Sequence, residues 1–288
     1  MYAVPFVSPV SVQVSAVVVV HCAAPGAAVT VYPVAVAPVI AVQYTVAEAF
    51  PGFVRRFPDV GALASASPAN VIRAWGALGY HRRAVALHRS ARAIVRDHEG
   101  RVPADVPTLL EFPGIGPYTA AAVASIAFGV PVPAIDTNAR KVIARLALGR
   151  DPAEAPAASI REAAASWVAR DRPGDWNQAV MDLGREICRP VPRCERCPLA
   201  TACRFRAMDH TGTGVREAGR RQPAFQGSTR QVRGAVVREL RGRSRAATIA
   251  ALVDATGEPL DRVEAAVDAL AIDGVVERTA AGRVRLPR

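Results

Sequence analysis

The sequence predicts an all-α protein from residue 48 onwards, and three observations support this. Ala, Leu, Val and Ile recur at spacings of three and four residues, with Arg on the other faces, as in amphipathic helices. Prolines stand where helices would begin, at positions 58, 68, 103, 107, 113 and 152. Strand-like alternation is scarce before the C-terminus.

These signals divide the chain after residue 47 into helices, a linker and a small C-terminal module. The predicted helices are 47–56, 59–65, 68–76, 80–98, 106–112, 117–128, 137–147, 157–170 and 175–187. Residues 206–227 are polar and rich in Gly, which is typical of a linker. Beyond them we predict helices at 229–241, 246–254 and 260–272 and a hairpin over 275–286. This order suggests a winged-helix-like module at 228–288, with a small helical cap and a frayed end as the alternative.

Residues 1–47 differ from everything that follows, because they contain no Asp, Glu, Lys or Arg and are rich in Val, Ala and Pro. The segment is long enough to cross a membrane, but five prolines interrupt it. Its longest clean apolar run, Ala16 to Val20, is far shorter than the roughly 20 residues that a spanning helix needs. We therefore expect no membrane anchor, a cytoplasmic and nucleoid-associated location, and a plain buried or free thiol at Cys22.

The charge of the chain predicts a polyanionic partner. The net charge is +11, the pI is about 10.4, and all the charge lies after residue 47. Nucleic acid is the expected partner. Lys141 is the only lysine, so a genome composition that favours Arg also contributes to the pattern.

Four cysteines, Cys188, Cys194, Cys197 and Cys203, have the spacing C-x5-C-x2-C-x5-C, which predicts a closed metal site. Four thiols so close together do not resemble a secreted disulfide framework. Thiolates suit zinc and iron–sulfur centres equally, and the spacing leaves both open.

The segment Leu109 to Ala120 predicts a helix, a tight turn and a second helix. Pro113 stops the first helix, Gly114 and Gly116 permit turn conformations, and Pro117 suits the first turn of the next helix. Free backbone N–H groups at such a turn can bind a phosphate, although an ordinary helix–helix corner has the same signature. Asp136 lies further along the chain and is by itself a typical helix N-cap.

From about residue 53 to residue 204 the chain resembles the endonuclease III superfamily of helix-hairpin-helix DNA glycosylases, and most of all the A/G-specific adenine DNA glycosylases. The motifs that carry the resemblance are Trp75-Gly76-Ala77-Leu78-Gly79-Tyr80, Phe112-Pro113-Gly114-Ile115-Gly116-Pro117-Tyr118-Thr119-Ala120, Ile135-Asp136-Thr137-Asn138, and residues 176–184. The resemblance implies a two-lobed all-α fold over residues 48–205 with DNA in the cleft between the lobes. It also implies a 4Fe–4S cluster in the loop 188–203, although the first cysteine loop has five residues where the family usually has six.

The resemblance also implies roles for individual residues. Asp136 stabilises the oxocarbenium-like sugar cation, and Tyr118 and Asn138 assist it in the pocket. Tyr80 enters the base stack; the alternatives are a core aromatic at Tyr80 and a plain helix cap at Asn138. DNA contacts come from the hairpin, at Pro113, Gly114, Ile115, Gly116 and Thr119. Bifunctional relatives carry a catalytic lysine where this chain has Tyr118, so we expect hydrolysis by water and no Schiff base.

One catalytic group of the family is missing. The glutamic acid that protonates adenine lies in a Ser-Glu-x-Met-Leu-Gln-Gln stretch, whereas residues 31–45 contain no carboxylate. The loss of a general acid lowers a rate by about 10²–10⁴. Either the chain binds DNA and excises poorly, or residues 1–47 come from a wrong reading frame joined to a glycosylase, and we favour the second explanation.

The expected function is a monofunctional DNA glycosylase that removes adenine mispaired with guanine or 8-oxoguanine. The expected partner is double-stranded DNA with a mismatched or oxidised base pair. We expect the protein to be a monomer and not to bind a membrane. A thymine or uracil mismatch glycosylase, or an inactive DNA-binding protein, is the alternative. The C-terminal tail is too short for the domain with which many adenine glycosylases read oxidised guanine.

Overall fold

A computed structural model describes residues 50–208 and 224–288, together with two short antiparallel strands, β1 (Val17–Val18) and β2 (Pro33–Val34). The rest of the segment 1–47, including Cys22, and most of the predicted linker 206–227 lie outside the described residues. Within the part that the structure describes, no helix combines the length and apolarity needed to cross a membrane.

The described part of the chain is mostly helical, which confirms the predicted fold class. The first helix, α1, occupies residues 50–56. It is followed by α2 (Val60–Ser65), α3 (Pro68–Trp75), α4 (Arg82–Asp97), α5 (Val106–Glu111), α6 (Pro117–Ala122), α7 (Thr137–Leu148), α8 (Ala157–Trp167), α9 (Pro173–Glu186) and α10 (Arg204–Ala207). The predicted helix 117–128 is not uniform, because α6 continues as a π-helix, Val123–Ala127.

Helix starts are specified locally by side chains that accept hydrogen bonds from backbone N–H groups of the first turn. Such caps are Asp59, Ser67, Asp105, Asp136 and Thr248, each bonded to the residue three positions later. Several helices also have Pro in their first turn, where its missing N–H costs nothing. Capping and proline position explain why the predicted starts agree closely with the observed ones.

The C-terminal region contains α11 (Thr229–Gly242), α12 (Ile249–Thr256) and α13 (Leu260–Ile272), followed by β3 (Glu277–Arg278) and β4 (Val284–Arg285). The two strands pair antiparallel, and Ala247 bridges to Val284. This order of elements agrees with a winged-helix-like module, and that assignment stays a prediction.

The chain divides into two compact units, Met1–Arg101 with Ala224–Arg288, and Val102–Pro223. In the first unit, Phe53 packs edge-on against Phe57 and Trp75 in one hydrophobic cluster. A second cluster in this unit joins Ile72 and Val85 to buried residues of α11, α13 and β4. The C-terminal helices therefore share a core with α3 and α4, and the predicted domain boundaries stay predictions.

The second unit is built around α7, which packs against α8, α9 and α10. Its core contains Ile143, Ile160 and Met181, with Ala at most of the remaining buried positions. Small side chains let the helices approach closely. This close packing positions the residues described next.

Candidate functional site

The predicted hairpin forms a tight turn between α5 and α6. The N–H of Ile115 donates to the carbonyl of Phe112 over 3.1 Å, which closes a four-residue turn. Gly114, the third residue of that turn, has a φ of 78°, and Pro113 precedes it, as a type II turn requires. Pro113 and Gly114 are exposed, so the turn is accessible to a partner.

The second helix of the hairpin begins with backbone donors that no side chain caps. Gly116 is the N-cap of α6, and its lack of a side chain leaves the first N–H groups unsatisfied by capping. A Cβ added at Gly116 would meet no atom within 4 Å, so the space in front of the helix is open. Thr119 is partly exposed in the first turn. This geometry suits a phosphate oxygen.

The structure brings Asp136, Asn138 and Tyr118 together in the same unit as the hairpin. The Oδ1 atom of Asp136 accepts from the N–H of Ala139 at 2.6 Å, and its Oδ2 atom accepts from Nδ2 of Asn138 at 3.0 Å. Asp136 is therefore both the N-cap of α7 and the partner of Asn138. Burial and the nearby charge of Asp136 raise the pKa of Tyr118, so its hydroxyl stays protonated at neutral pH. That hydroxyl donates to Sδ of Met181 at 3.2 Å.

Asn177 holds the segment that leads to Asp136, a role that its motif in the sequence did not predict. Its side chain is 1% exposed, and its Oδ1 accepts from the N–H of Ala134 at 2.7 Å. Its Nδ2 donates to Oγ of Ser125 and to the carbonyls of Val132 and Pro173. The signal in the sequence was an amide on the otherwise apolar face of α9.

Gly184 lets α9 approach α7 at Asn138. A Cβ added at Gly184 would lie 2.4 Å from the carbonyl oxygen of Asn138, which is closer than real contacts allow. Lys141 is buried beside this crossing, and its Nζ donates to the carbonyl of Gly184 at 3.1 Å. The single lysine of the chain thus has a packing role there.

Tyr80 lies in the first unit, on a short loop between α3 and α4. Its side chain is 42% exposed, which argues against the alternative of a core aromatic. Its φ of 45° is uncommon for a residue with a side chain, and Gly76 and Gly79 on the same loop also have positive φ. Nε1 of Trp75 donates to the carbonyl of Gly79 at 2.9 Å and so tightens the loop.

The four cysteines follow α9 on a loop with two short 3₁₀ turns, Cys194–Arg196 and Ala200–Ala202. Arg145 of α7 is 2% exposed and anchors this loop. Its guanidinium donates to the carbonyls of Arg189 and Pro190 at 2.6 and 3.1 Å, and it lies 3.6 Å from Sγ of Cys188.

The donor set of this loop suits a thiolate-bound centre. The four thiols are free, and burial, with smaller contributions from neighbouring thiols, raises the pKa of Cys188 and of Cys194. Yet no three Cys, His, Asp or Glu side chains of the described residues are arranged so that they could hold a metal ion. Four cysteine side chains on one loop are nevertheless the ligand set that the predicted cluster requires.

Comparison with known proteins connects this geometry to a family. A family model described as HhH-GPD superfamily base excision DNA repair protein matches residues 43–169. An adenine DNA glycosylase of Mycolicibacterium smegmatis is 41% identical over 236 residues, covering 81% of this chain and 79% of that protein. An adenine DNA glycosylase of Mycobacterium tuberculosis is 41% identical over 244 residues, covering 83% of this chain and 78% of that protein.

Among solved structures, a thermostable thymine-DNA glycosylase matches with a TM-score of 0.53 and 27% identity, covering 58% of this chain and 78% of that one. The helical fold and the family match define a helix-hairpin-helix DNA repair protein. The chain belongs to the HhH-GPD superfamily of base excision DNA repair proteins, and its function is that of a DNA glycosylase. This confirms the resemblance found in the sequence.

Proposed function

We propose that this chain hydrolyses the N-glycosidic bond of adenine mispaired with guanine or 8-oxoguanine. Two mycobacterial relatives that match most of the chain are named adenine DNA glycosylases. The observation that carries the proposal is the group formed by Asp136, Asn138 and Tyr118 in the unit that also contains the hairpin.

In this mechanism the carboxylate of Asp136 faces the sugar of an extruded nucleotide and stabilises the cation that forms as the bond breaks. Asn138 orients that carboxylate through its bond to Oδ2. Tyr118 keeps its proton and acts as a hydrogen-bond donor in the pocket. Adenine leaves with the electron pair of the broken bond and takes up a proton from solvent water, and another water adds to the sugar carbon and releases a proton. Lys141 is buried and bonded to Gly184, which supports hydrolysis rather than strand cleavage by an amine.

DNA binding is assigned to two places on the chain. The hairpin residues Pro113, Gly114, Ile115, Gly116 and Thr119 bind a backbone phosphate, which the exposed turn and the uncapped start of α6 support. Tyr80 enters the base stack, which its exposure supports. We place the glycosylase domain at 48–205, the linker at 206–227 and the C-terminal module at 228–288.

Cys188, Cys194, Cys197 and Cys203 would hold a 4Fe–4S cluster. When bound, the cluster would tie together the loop that follows α9. Arg145 already holds the same loop through its two carbonyl bonds.

The missing general acid limits the expected activity. Residues 1–47 contain no carboxylate, and the family match begins only at residue 43. We attribute the segment to a frame error or a recombined start. Translation of the gene in its other frames is the test, and absence of a Ser-Glu-x-Met-Leu-Gln-Gln stretch upstream of Glu48 would remove this explanation.

The glycosylase assay compares the chain as it stands with a chain in which the glutamate-bearing stretch is restored. Duplexes containing A:G, A:8-oxoguanine, T:G and U:G are incubated with each under single-turnover conditions. We expect adenine release from the first two duplexes, faster with the restored chain. The match to a thymine-DNA glycosylase favours T:G as the competing substrate, and thymine release without adenine release would establish it.

Asp136→Asn is the matched variant for this assay. Asn caps helices about as well as Asp, so α7 should keep its N-cap while the negative charge is lost. We expect the excision rate to fall by about 10²–10³, the range for removal of one electrostatic contact in a transition state. If the chain as it stands and the chain with the restored stretch both bind duplex but release no base, the protein is instead an inactive DNA-binding protein.

A further inference from the structure

The C-terminal helices pack against α3 and α4, which lie on either side of the loop that presents Tyr80, within a single compact unit of the chain. Ile72 of α3 and Val85 of α4 flank that loop and lie in one hydrophobic cluster with Val236 and Leu240 of α11. The N–H of Ala69 also donates to the carbonyl of Pro287 at 3.1 Å. The end of α11 is thereby held against the base of the Tyr80 loop.

Arg73 fixes the C-terminal end of α11 at this place. Its Nε donates to the carbonyl of Arg241 at 3.3 Å, and one terminal nitrogen donates to the carbonyl of Arg243 at 3.2 Å. A cation at the end of a helix also interacts favourably with the helix dipole. These bonds hold the backbone at the end of α11 against α3.

The guanidinium of Arg241 lies beside the Tyr80 loop, and no acidic side chain within the described part of the chain forms an ion pair with it. One of its terminal nitrogens is 3.7 Å from the position that a Cβ on Gly76 would occupy. Over residues 50–208 and 224–288, Nε of Arg241 has no hydrogen-bond partner, and burial alone lowers the pKa of this group. Another cation of α11, Arg233, is instead paired with Asp273.

The distribution of charge in the C-terminal region points to the same surface. Helix α11 carries four Arg and one Glu, whereas α13 carries three acidic residues and one Arg. The exposed Asp261, Glu264 and Asp268 make α13 unsuitable for entering a DNA groove. DNA contact by this region is therefore expected from the end of α11 near Tyr80 and not from α13.

We propose that Arg241 binds a DNA phosphate next to the step into which Tyr80 inserts, so that residues 228–288 form part of the DNA-binding surface. The inference rests on the proposed function, because it requires Tyr80 to contact DNA. If Tyr80 inserts into the base stack, the DNA backbone at that step must pass the neighbouring residues of the loop. A phosphate there would form charge-assisted hydrogen bonds with the guanidinium of Arg241.

The first test is the salt dependence of binding to a mismatch-containing duplex. Loss of one phosphate contact reduces the slope of log K against log salt by about one unit. We expect this reduction for Arg241→Gln, and little change for Arg241→Lys, which keeps the charge. Arg278→Gln is the matched control, because it removes the same charge from the same region, where Arg278 pairs with Asp268. Equal slopes for Arg241→Gln and the wild-type chain would overturn the proposal.

The second test changes the DNA instead of the protein and begins with the wild-type chain. Methylphosphonate groups replace the phosphates around the mismatch one at a time, and binding of the wild-type chain is measured. We expect a loss of affinity at a phosphate adjoining the inserted step, of roughly the size that one charge contact predicts. Arg241→Gln should be insensitive to that replacement, while Arg278→Gln should retain the loss.

Failure of this inference is distinguishable from failure of the proposed function. If Tyr80→Ala and Gly116→Ala weaken binding but no phosphate near the mismatch depends on Arg241, only the role of Arg241 is wrong. If the wild-type chain does not bind mismatched duplex at all, both are wrong.

Discussion

Gly184 and Asn177 show how single buried residues determine the position of Asp136. Gly184 allows the carbonyl of Asn138 to approach α9, and Asn177 holds the backbone before Asp136 through two hydrogen bonds, from the N–H of Ala134 and to the carbonyl of Val132. Neither residue touches the proposed reaction centre. Both therefore act as positioning residues for the carboxylate.

Replacement of Gly184 by Ala should destabilise the protein. The added Cβ would lie 2.4 Å from the Asn138 oxygen, so α7 and α9 must separate. We expect a loss of about 1–3 kcal/mol in the free energy of unfolding, measured by urea denaturation. Gly234→Ala in α11 is the control, because nothing lies within 4 Å of its Cβ position. There the same change should stabilise the helix by about 0.5–1 kcal/mol, and a loss of equal size at both sites would contradict the packing argument.

The pH dependence of stability should contain a contribution from His81. Burial first, and then the charges of Arg241 and Arg233, lower the pKa of His81 from 6.5 to about 4, against a bond to the Gly76 carbonyl that raises it. Between these two pH values the unfolded chain binds more protons than the folded one, so the free energy of unfolding falls as the pH falls. Burial lowers the pKa of His88 as well, and this adds in the same direction.

His81→Gln isolates this contribution. The free energy of unfolding of the wild-type and variant chains is measured by chemical denaturation above pH 6.5 and between pH 6.5 and about 4. The variant should lose less stability between these two pH ranges, because one titrating group is gone. Parallel curves for the two chains would mean that His81 titrates normally in the folded state.

At the scale of elements, the two glycines of the hairpin are needed for different reasons, Gly114 for its backbone conformation and Gly116 for access of a ligand to α6. Gly114 has a φ of 78°, whereas Gly116 has a φ of −98°, which any residue adopts. Gly114→Ala should therefore lower the free energy of unfolding by about 1–2 kcal/mol. Gly116→Ala should leave stability nearly unchanged and weaken duplex binding, because its Cβ would occupy the open space in front of α6. Thermal melting and fluorescence anisotropy measure the two effects, and a stability loss at Gly116 alone would refute this division.

Helix α7 connects the aspartate to the cysteine loop. Asp136 caps its first turn, and Arg145 in its last turn binds two carbonyls of the loop and lies 5.4 Å from the ring of Phe205. Arg145→Lys should destabilise the protein by about 1–3 kcal/mol, because one ammonium cannot satisfy both carbonyls with the fixed geometry of a guanidinium. Arg150→Lys, at an exposed position after the same helix, is the control for urea denaturation. Equal stability of the two variants would show that the loop does not depend on Arg145.

At the scale of the whole molecule, the metal content of the purified protein tests the role of the cysteine loop. If its four thiolates hold a 4Fe–4S cluster, the purified chain should contain about four iron and four sulfide per molecule. Cys197→Ser should reduce both, because one ligand is lost, and iron analysis with visible absorption measures this. One zinc per chain in place of iron and sulfide would remove the cluster assignment.

Most of the secondary structure could be predicted, because periodicity, capping residues and proline are local signals. The start of α7 at Asp136 and of α6 after Gly116 are examples. The π-helix 123–127 and the short turns of the cysteine loop were not predicted. No local pattern distinguishes them, since both depend on packing against residues distant in the chain.

The sequence by itself determined the helical class, the family motifs and the chemical character of the candidate residues, because these follow from residue type and spacing. Only the tertiary structure decided which residues meet. It joined Asn177 to the segment before Asp136, Lys141 to Gly184, and Arg241 to the Tyr80 loop. Such contacts depend on how helices distant in sequence pack together, and helix periodicity specifies a buried face without specifying its partner.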